Sequence, residues 1–173
     1  MKNLLYGIIA LIGLITTSSC VDIGGYMVDW APVEITISAF DADGNSIISP
    51  EMPGMSLTFK GETYTVKKWG SQYEPESKAY MAIMDGLKAM PIQGDDGQTA
   101  VYQLWFGEID GAADMDEDIV LDWPDGSQDV IHYHCSNHRE WPSPKCDRSW
   151  KLNSQKHERS HFEFTGKSLP EKE

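Results

Sequence analysis

Basic residues are scarce in this chain. Lys and Arg number 14 against 27 Asp and Glu, for a formal net charge of −13 over 173 residues. A chain of that sign repels phosphate backbones, so nucleic acid is not an expected partner, and anionic lipid head groups are repelled too. Cysteine is scarce as well, with three in all, at positions 20, 135 and 146. Long apolar runs are lacking. The longest, Leu4 to Ile15, falls short of the roughly twenty residues that a membrane-spanning helix needs. No serine sits in a strained Gly-flanked elbow of the kind that activates a nucleophile. No two carboxylates are singled out as a glycoside-hydrolysing pair. No internal repeat and no convincing long helix is visible, and no cofactor is implied.

The start of the chain is the most specific segment present. Met1 and Lys2 are followed by the apolar run, and then by Thr16-Thr17-Ser18-Ser19-Cys20. A short apolar stretch closed by small residues reads as a secretory signal. The small residues ending in cysteine resemble the bacterial lipobox, with Thr17 where Leu is usual. That resemblance implies diacylglycerol attachment at Cys20, which becomes the mature N-terminus. Each buried CH₂ contributes about 0.8 kcal/mol and one acyl chain anchors only marginally. Two or three chains therefore hold the protein on a membrane without a spanning segment. Loss of residues 1–19 removes one Lys and no acid, so the mature chain carries −14. The remaining 154 residues suffice for one domain with a real core.

With Cys20 acylated, Cys135 and Cys146 form an even pair, and in an exported protein that suggests a disulfide. A loop this short gains about 2.5–3 kcal/mol from closure. The competing possibility is a metal site using Cys135 with neighbouring histidines.

After Cys20 the pattern is strands and turns. Residues 20–29, with Gly24-Gly25, read as a lipidated tether, and residues 30–173 as one domain. Val33, Ile35, Ile37 and Ala39 alternate with Glu34, Thr36 and Ser38, which predicts a half-buried strand. Asp41-Ala42-Asp43-Gly44-Asn45 is a turn cluster. Leu57 and Phe59, then Tyr64 and Val66, flank Lys60-Gly61-Glu62 as a hairpin. Tyr80 to Leu87 has partial helical spacing interrupted by Asp85-Gly86, and a strand running into a turn is the preferred reading. Val101 to Glu108 is a strand with Tyr102, Leu104 and Phe106 on one face. Trp150 to Asn153 and Phe162 to Thr165 supply two more.

Ile119 to His134 carries the clearest local signal. Trp123-Pro124-Asp125-Gly126 places proline at the second turn position and glycine where φ must be positive, closing a three-residue hairpin loop with a bulge. The register follows: Trp123 faces Ser127, Leu121 faces Asp129 and Ile119 faces Ile131. Ile119, Leu121, Ile131 and Tyr133 then share the core face. Val120, Val130, His132 and His134 share the other, with Asp118 opposite His132. Short strands at regular spacing with turns between them predict an all-β sandwich.

Several strings, taken in order, resemble a family of small Bacteroidota lipoproteins. They are Trp30-Ala31-Pro32-Val33-Glu34-Ile35, Asp43-Gly44-Asn45, Lys60-Gly61-Glu62-Thr63-Tyr64, Phe106-Gly107-Glu108-Ile109-Asp110-Gly111, and Trp123-Pro124-Asp125-Gly126 with Asp129 and Ile131. The resemblance implies an immunoglobulin-like antiparallel β-sandwich, expected here as about 7–9 short strands. It carries over no activity and no catalytic residue. His132 to Cys146 looks like this chain's own elaboration.

Three constellations are candidates for chemistry. His132 and His134 lie two apart on one strand face, and with Asp118, Asp116 or a later histidine they offer a zinc ligand set. The plainer alternative is a solvated face with a cross-strand His–Asp contact. Asp110, Asp114, Asp116, Glu117 and Asp118 suit hard cations by residue type, but they lack the glycine and closing glutamate of a helix-loop-helix calcium site. Asp41, Asp43 and Asn45 fail in the same way. Among the tryptophans, Trp105 and Trp141 are the candidates for stacking on sugar faces, Trp105 because alternation turns it outward if Leu104 and Phe106 take the core. The expected function is that of a non-enzymatic binding module, for a glycan or a partner protein, lipid-anchored at Cys20 in the outer membrane. A metal-dependent role built on the histidine strand is the alternative.

Overall fold

The computed structural model describes residues 32–68, 86–93, 100–138 and 145–169. Cys20, the tether, Trp69, Tyr73, Tyr80 to Asp85 and Trp141 lie outside the described residues. Every regular element described is a strand: β1 (Val33–Ala39), β2 (Ser56–Phe59), β3 (Glu62–Thr65), β4 (Lys67–Lys68), β5 (Leu87–Gln93), β6 (Ala100–Ile109), β7 (Met115–Asp122), β8 (Gln128–His138), β9 (Lys145–Leu152), β10 (Gln155–His157) and β11 (His161–Phe164).

They form two sheets, one ordered β11-β1-β6-β5-β4 and the other β10-β9-β8-β7-β2-β3. The all-β sandwich expected from the alternation is present, with two departures. Among the described residues there are eleven strands rather than seven to nine. Two pairings are parallel, β1 with β11 and β4 with β5. Both departures follow from how the chain is routed between the sheets. β3 and β4 are one extended run broken at Val66, where the chain leaves one sheet and enters the other. β11 joins β1 from a different part of the chain, so no tight hairpin dictates its direction.

The alternating residues do what their period requires. Ile35, Ile37, Leu104 and Phe106 point inward from one sheet, and Leu57, Ile119, Leu121, Ile131 and Tyr133 from the other, all essentially inaccessible. Aromatic contacts stitch the layers together. Phe59 meets Phe106 edge-on at 5.7 Å, Trp150 meets Phe162 at 5.7 Å, and Trp123 meets Phe164 at 5.0 Å between ring centroids. Such pairs contribute about 0.5–1.5 kcal/mol each beyond their area burial.

Turn chemistry fixes the hairpins. Lys60 and Gly61 both have positive φ, 50° and 80°, the requirement of a two-residue loop whose twist matches its strands. Gly126 has φ of 81°, and the turn closes with Gly126 N–H donating to Trp123 O at 2.9 Å and Trp123 N–H to Ser127 O at 2.9 Å. The β7–β8 register is the expected one, with Ile119 opposite Ile131, Leu121 opposite Asp129, and Asp118 opposite His132.

The disulfide expected between Cys135 and Cys146 is not formed. Both are thiols, with Sγ atoms 3.0 Å apart. β8 continues to His138 and β9 begins at Lys145, so the cysteines sit on paired strands, Cys135 opposite Arg148 and Cys146 opposite Asn137. That offset makes them diagonal neighbours, typically about 7–8 Å apart. The sulfurs are in contact but not bonded, since an S–S bond is about 2.05 Å long.

Candidate functional site

The outer face of the six-stranded sheet carries the residues of interest. Alternation on β7 turns Asp116 and Asp118 outward, and alternation on β8 does the same for His132 and His134. The register sets Asp116 opposite His134 and Asp118 opposite His132. Four side chains from two adjacent strands therefore share one small area of surface.

Their contacts form a chain. His132 Nδ1 lies 2.8 Å from Asp118 Oδ1, and His132 Nε2 lies 3.1 Å from Asp116 Oδ1. The same Asp116 Oδ1 is 3.1 Å from His134 Nδ1. One carboxylate oxygen thus stands between two imidazoles, and one imidazole stands between two carboxylates. Hydrogen bonding from His134 holds the Asp116 carboxyl below the usual carboxylate range, with the charge of His132 acting in the same direction. The His132 side chain is 28% exposed and that of Asp116 is 70% exposed, so the ring is held while the acid is free to turn. Among the described residues, no three His, Cys, Asp or Glu side chains converge on one vacant point. Asp116 Oδ1 itself fills the space between the rings.

Asp118 and His132 also form a rib between two open grooves. One, of about 550 Å³, is lined by Thr58, Lys60, Gly61 and the Asp116–Asp118 strand. The other, of about 520 Å³, is lined by Val130, Lys151, Asn153 and Ser154.

Trp105 does point outward on the five-stranded sheet, between Thr36 and Lys88 on the neighbouring strands. It is half-buried, and its Nε1–H is buried without a hydrogen-bond acceptor among the described residues. Of the acids weighed as hard-cation ligands, Asp116 and Asp118 lie against the histidines, and Asp110 and Asp114 are held by backbone amides. Asp110 accepts from Ala112 N–H at 2.8 Å and Asp114 from Asn137 N–H at 2.6 Å. Asp41 accepts from the amides of Asp43 and Asn45, which makes that segment a side-chain-capped turn.

Two arrangements stand outside the candidates drawn from the sequence. Thr36 Oγ1 lies 2.8 Å from His161 Nδ1, with Glu163 at 3.7 Å from the far ring nitrogen. This hydroxyl–imidazole pair lacks the rest of a nucleophilic centre. The carboxylate is beyond hydrogen-bond reach, and Thr36 N–H is committed to Ser160 O at 2.9 Å. The second is a shielded ion pair at the far end of the hairpin. Asp129 accepts from Lys167 Nζ at 2.6 Å, Trp123 Nε1 at 2.7 Å and Asn153 Nδ2 at 2.7 Å. Burial pushes the Asp129 carboxyl up, but hydrogen bonds from Lys167, Asn153 and Trp123 outweigh it and leave the group below its ordinary value. Its signal was Asp129 falling on the core face opposite Leu121, where an acid demands partners.

No protein-family model, no curated protein and no solved structure matches the chain.

Proposed function

We propose that this chain is an outer-membrane-anchored lipoprotein and a non-enzymatic binding module, which takes a glycan or a partner protein on the outer face of its six-stranded sheet. The observation that carries this reading is the rib of Asp118 and His132, hydrogen-bonded at 2.8 Å between two open grooves. Thr58 and Lys60 on one side, and Lys151 and Asn153 on the other, offer donors and acceptors to an extended polar ligand. Deep apolar pockets suit compact drug-like ligands, whereas shallow grooves on a rigid sheet suit chains and surfaces. The apolar run and Cys20 support the address, as does the resemblance to small Bacteroidota lipoproteins. Trp105, on the outer face of the other sheet, and Trp141 are proposed as further aromatic platforms for sugar rings.

A glycan array tests the reading. The wild-type protein is expected to bind a restricted set of glycans, and Asp118→Ala and His132→Ala to weaken that binding by about tenfold or more, the cost of losing one or two polar contacts to the ligand. If no glycan binds, in-cell crosslinking from Lys151 decides between the ligand classes. A partner protein captured by the wild type and lost in Asp118→Ala supports the module. Neither glycan nor partner refutes it.

A further inference from the structure

We infer that Cys135 and Cys146 form a reversible thiol–disulfide exchange site, in which Cys146 attacks an incoming disulfide and Cys135 resolves the adduct by closing a bridge between β8 and β9. This goes beyond the module proposed above and uses none of its residues, so it stands whether or not a glycan or a partner binds.

The placement of the two sulfurs carries the inference. Cys135 is part of the core, and Cys146 packs against the core from the neighbouring strand. Their Sγ atoms lie 3.0 Å apart, against about 2.05 Å for a bond. An approach of about 1 Å therefore separates the thiol pair from a bridge, and the thiol form is the reduced end of the couple.

Accessibility assigns the roles. Cys135 is 1% exposed, which shields it from a disulfide arriving from solvent. Cys146 is half-buried, so it is the residue that such a reagent meets first. Arg148 Nε–H donates to Cys146 Sγ at 3.1 Å, a contact that favours the thiolate, the nucleophilic form. Arg148 also donates from Nη2 to Gly111 O at 3.3 Å, which holds the guanidinium beside the sulfur. Burial pushes the Cys146 thiol up, so the thiolate is scarce at neutral pH and exchange is slow.

The Cys146 thiolate attacks one sulfur of the external disulfide, and the other sulfur leaves as a thiolate. The Cys135 thiolate then attacks Cys146 Sγ in the mixed disulfide. The Cys135–Cys146 bond forms and the second external thiolate is expelled. Two electrons pass to the incoming disulfide, and the two cysteine protons pass through solvent to the expelled thiolates. The reverse reaction is open because Cys146 keeps the bridge within reach of a reducing thiol, and exposed bridges are the labile ones. The Arg148 contact stabilises the reduced form, which raises the potential of the couple.

The full mature protein in detergent, first reduced and then equilibrated with graded mixtures of reduced and oxidised glutathione, tests the site. Acid quenching, thiol labelling under denaturing conditions and peptide mass mapping follow both cysteines. Their thiols are expected to vanish together, with one two-electron midpoint, and to return in the folded protein when excess dithiothreitol is added. Cys135→Ser should stop at a mixed disulfide between Cys146 and glutathione. Cys146→Ser should slow modification of Cys135 by about tenfold or more, because that sulfur is shielded. Far-UV circular dichroism shows whether each variant keeps its fold, and the wild-type titration stands without them. Two free thiols in the folded wild type under full oxidation overturn the site. So does a bridge that dithiothreitol reduces only after denaturation, which would make it a static cross-link. So does a folded Cys146→Ser whose Cys135 takes up glutathione as fast as the wild type reacts.

Discussion

Replacing Asp129 with Ala should be among the most damaging single changes on the surface-facing end of this domain. The Asp129 side chain is 11% exposed and that of Lys167 is 12% exposed, at 2.6 Å. Lys167 also lies over the Trp123 ring at 5.1 Å from its centroid. Removal of the carboxylate takes an acceptor from three donors: the Lys167 ammonium, which keeps Ser127 Oγ at 2.9 Å, the Trp123 indole N–H and one Asn153 amide hydrogen. Breaking one side of a buried pair costs about 3–5 kcal/mol because the other charge is left without a partner. Lys167 can partly reach solvent, which places the expected loss near the lower end, about 3 kcal/mol. For a domain of this size that corresponds to a fall in Tm of roughly 10 °C. Urea denaturation followed by tryptophan fluorescence measures it, since Trp123 and Trp150 are both buried. The double variant Asp129→Ala, Lys167→Met should recover part of the loss, because neither charge is then orphaned. The sign of the pH dependence is fixed as well. The Asp129 carboxyl titrates below its ordinary value of 3.8 in the folded chain. Its contribution is therefore present in full above the unfolded value, near pH 4, and is lost as pH falls through the lower folded value. Asp129→Asn should remove that part of the acid-denaturation slope. A loss under 0.5 kcal/mol in Asp129→Ala at pH 7, or a double variant no more stable than Asp129→Ala, would refute the assignment of this pair as a principal support of the hairpin.

Ile131 is fully buried and His134 is exposed on the opposite face, so Ile131→Ser should cost about 2–4 kcal/mol and His134→Ala under about 0.5 kcal/mol, by chemical denaturation. Gly126→Ala should cost about 1 kcal/mol. A Cβ there meets nothing within 4 Å, so the loss comes from φ alone and a Gly126→Asn variant should suffer less. Denaturing, non-reducing thiol labelling should find both Cys135 and Cys146 reactive. In the folded protein Cys135 should label slowly, since it is 1% exposed, and Cys146 slowly at neutral pH, since burial pushes its thiol up. Two unlabelled cysteines would mean that the pair, whose sulfurs lie 3.0 Å apart, is bridged in the exported protein. On the lipoprotein reading, Cys20→Ala should shift the protein from the detergent phase to the soluble fraction.

Sequence by itself determined what short-range stereochemistry controls. Pro124-Asp125-Gly126 admits few loop conformations, and once the loop is fixed the period of two assigns every β7 and β8 side chain to a face. That is why the core placement of Ile119, Leu121, Ile131 and Tyr133, and the pairing of Asp118 with His132, were legible before any coordinates. The same register contained the pairing of Asp116 with His134, one step further along the ladder. What it did not contain was how far each side chain reaches. His132 leans diagonally to touch Asp116 as well as Asp118, and that depends on the rotamers and twist of the assembled sheet. Contacts that span the chain were settled by tertiary packing alone. Lys167 reaches Asp129 across 38 residues of sequence, β11 aligns parallel to β1, and the run through Val66 crosses from one sheet to the other. No local pattern encodes these, because each is selected by which apolar faces remain uncovered once the neighbouring strands have paired. The thiol pair shows the limit most plainly. Cysteine count and spacing suggest a bridge, but the β8–β9 register sets the two residues on a diagonal, and register is a property of the folded sheet.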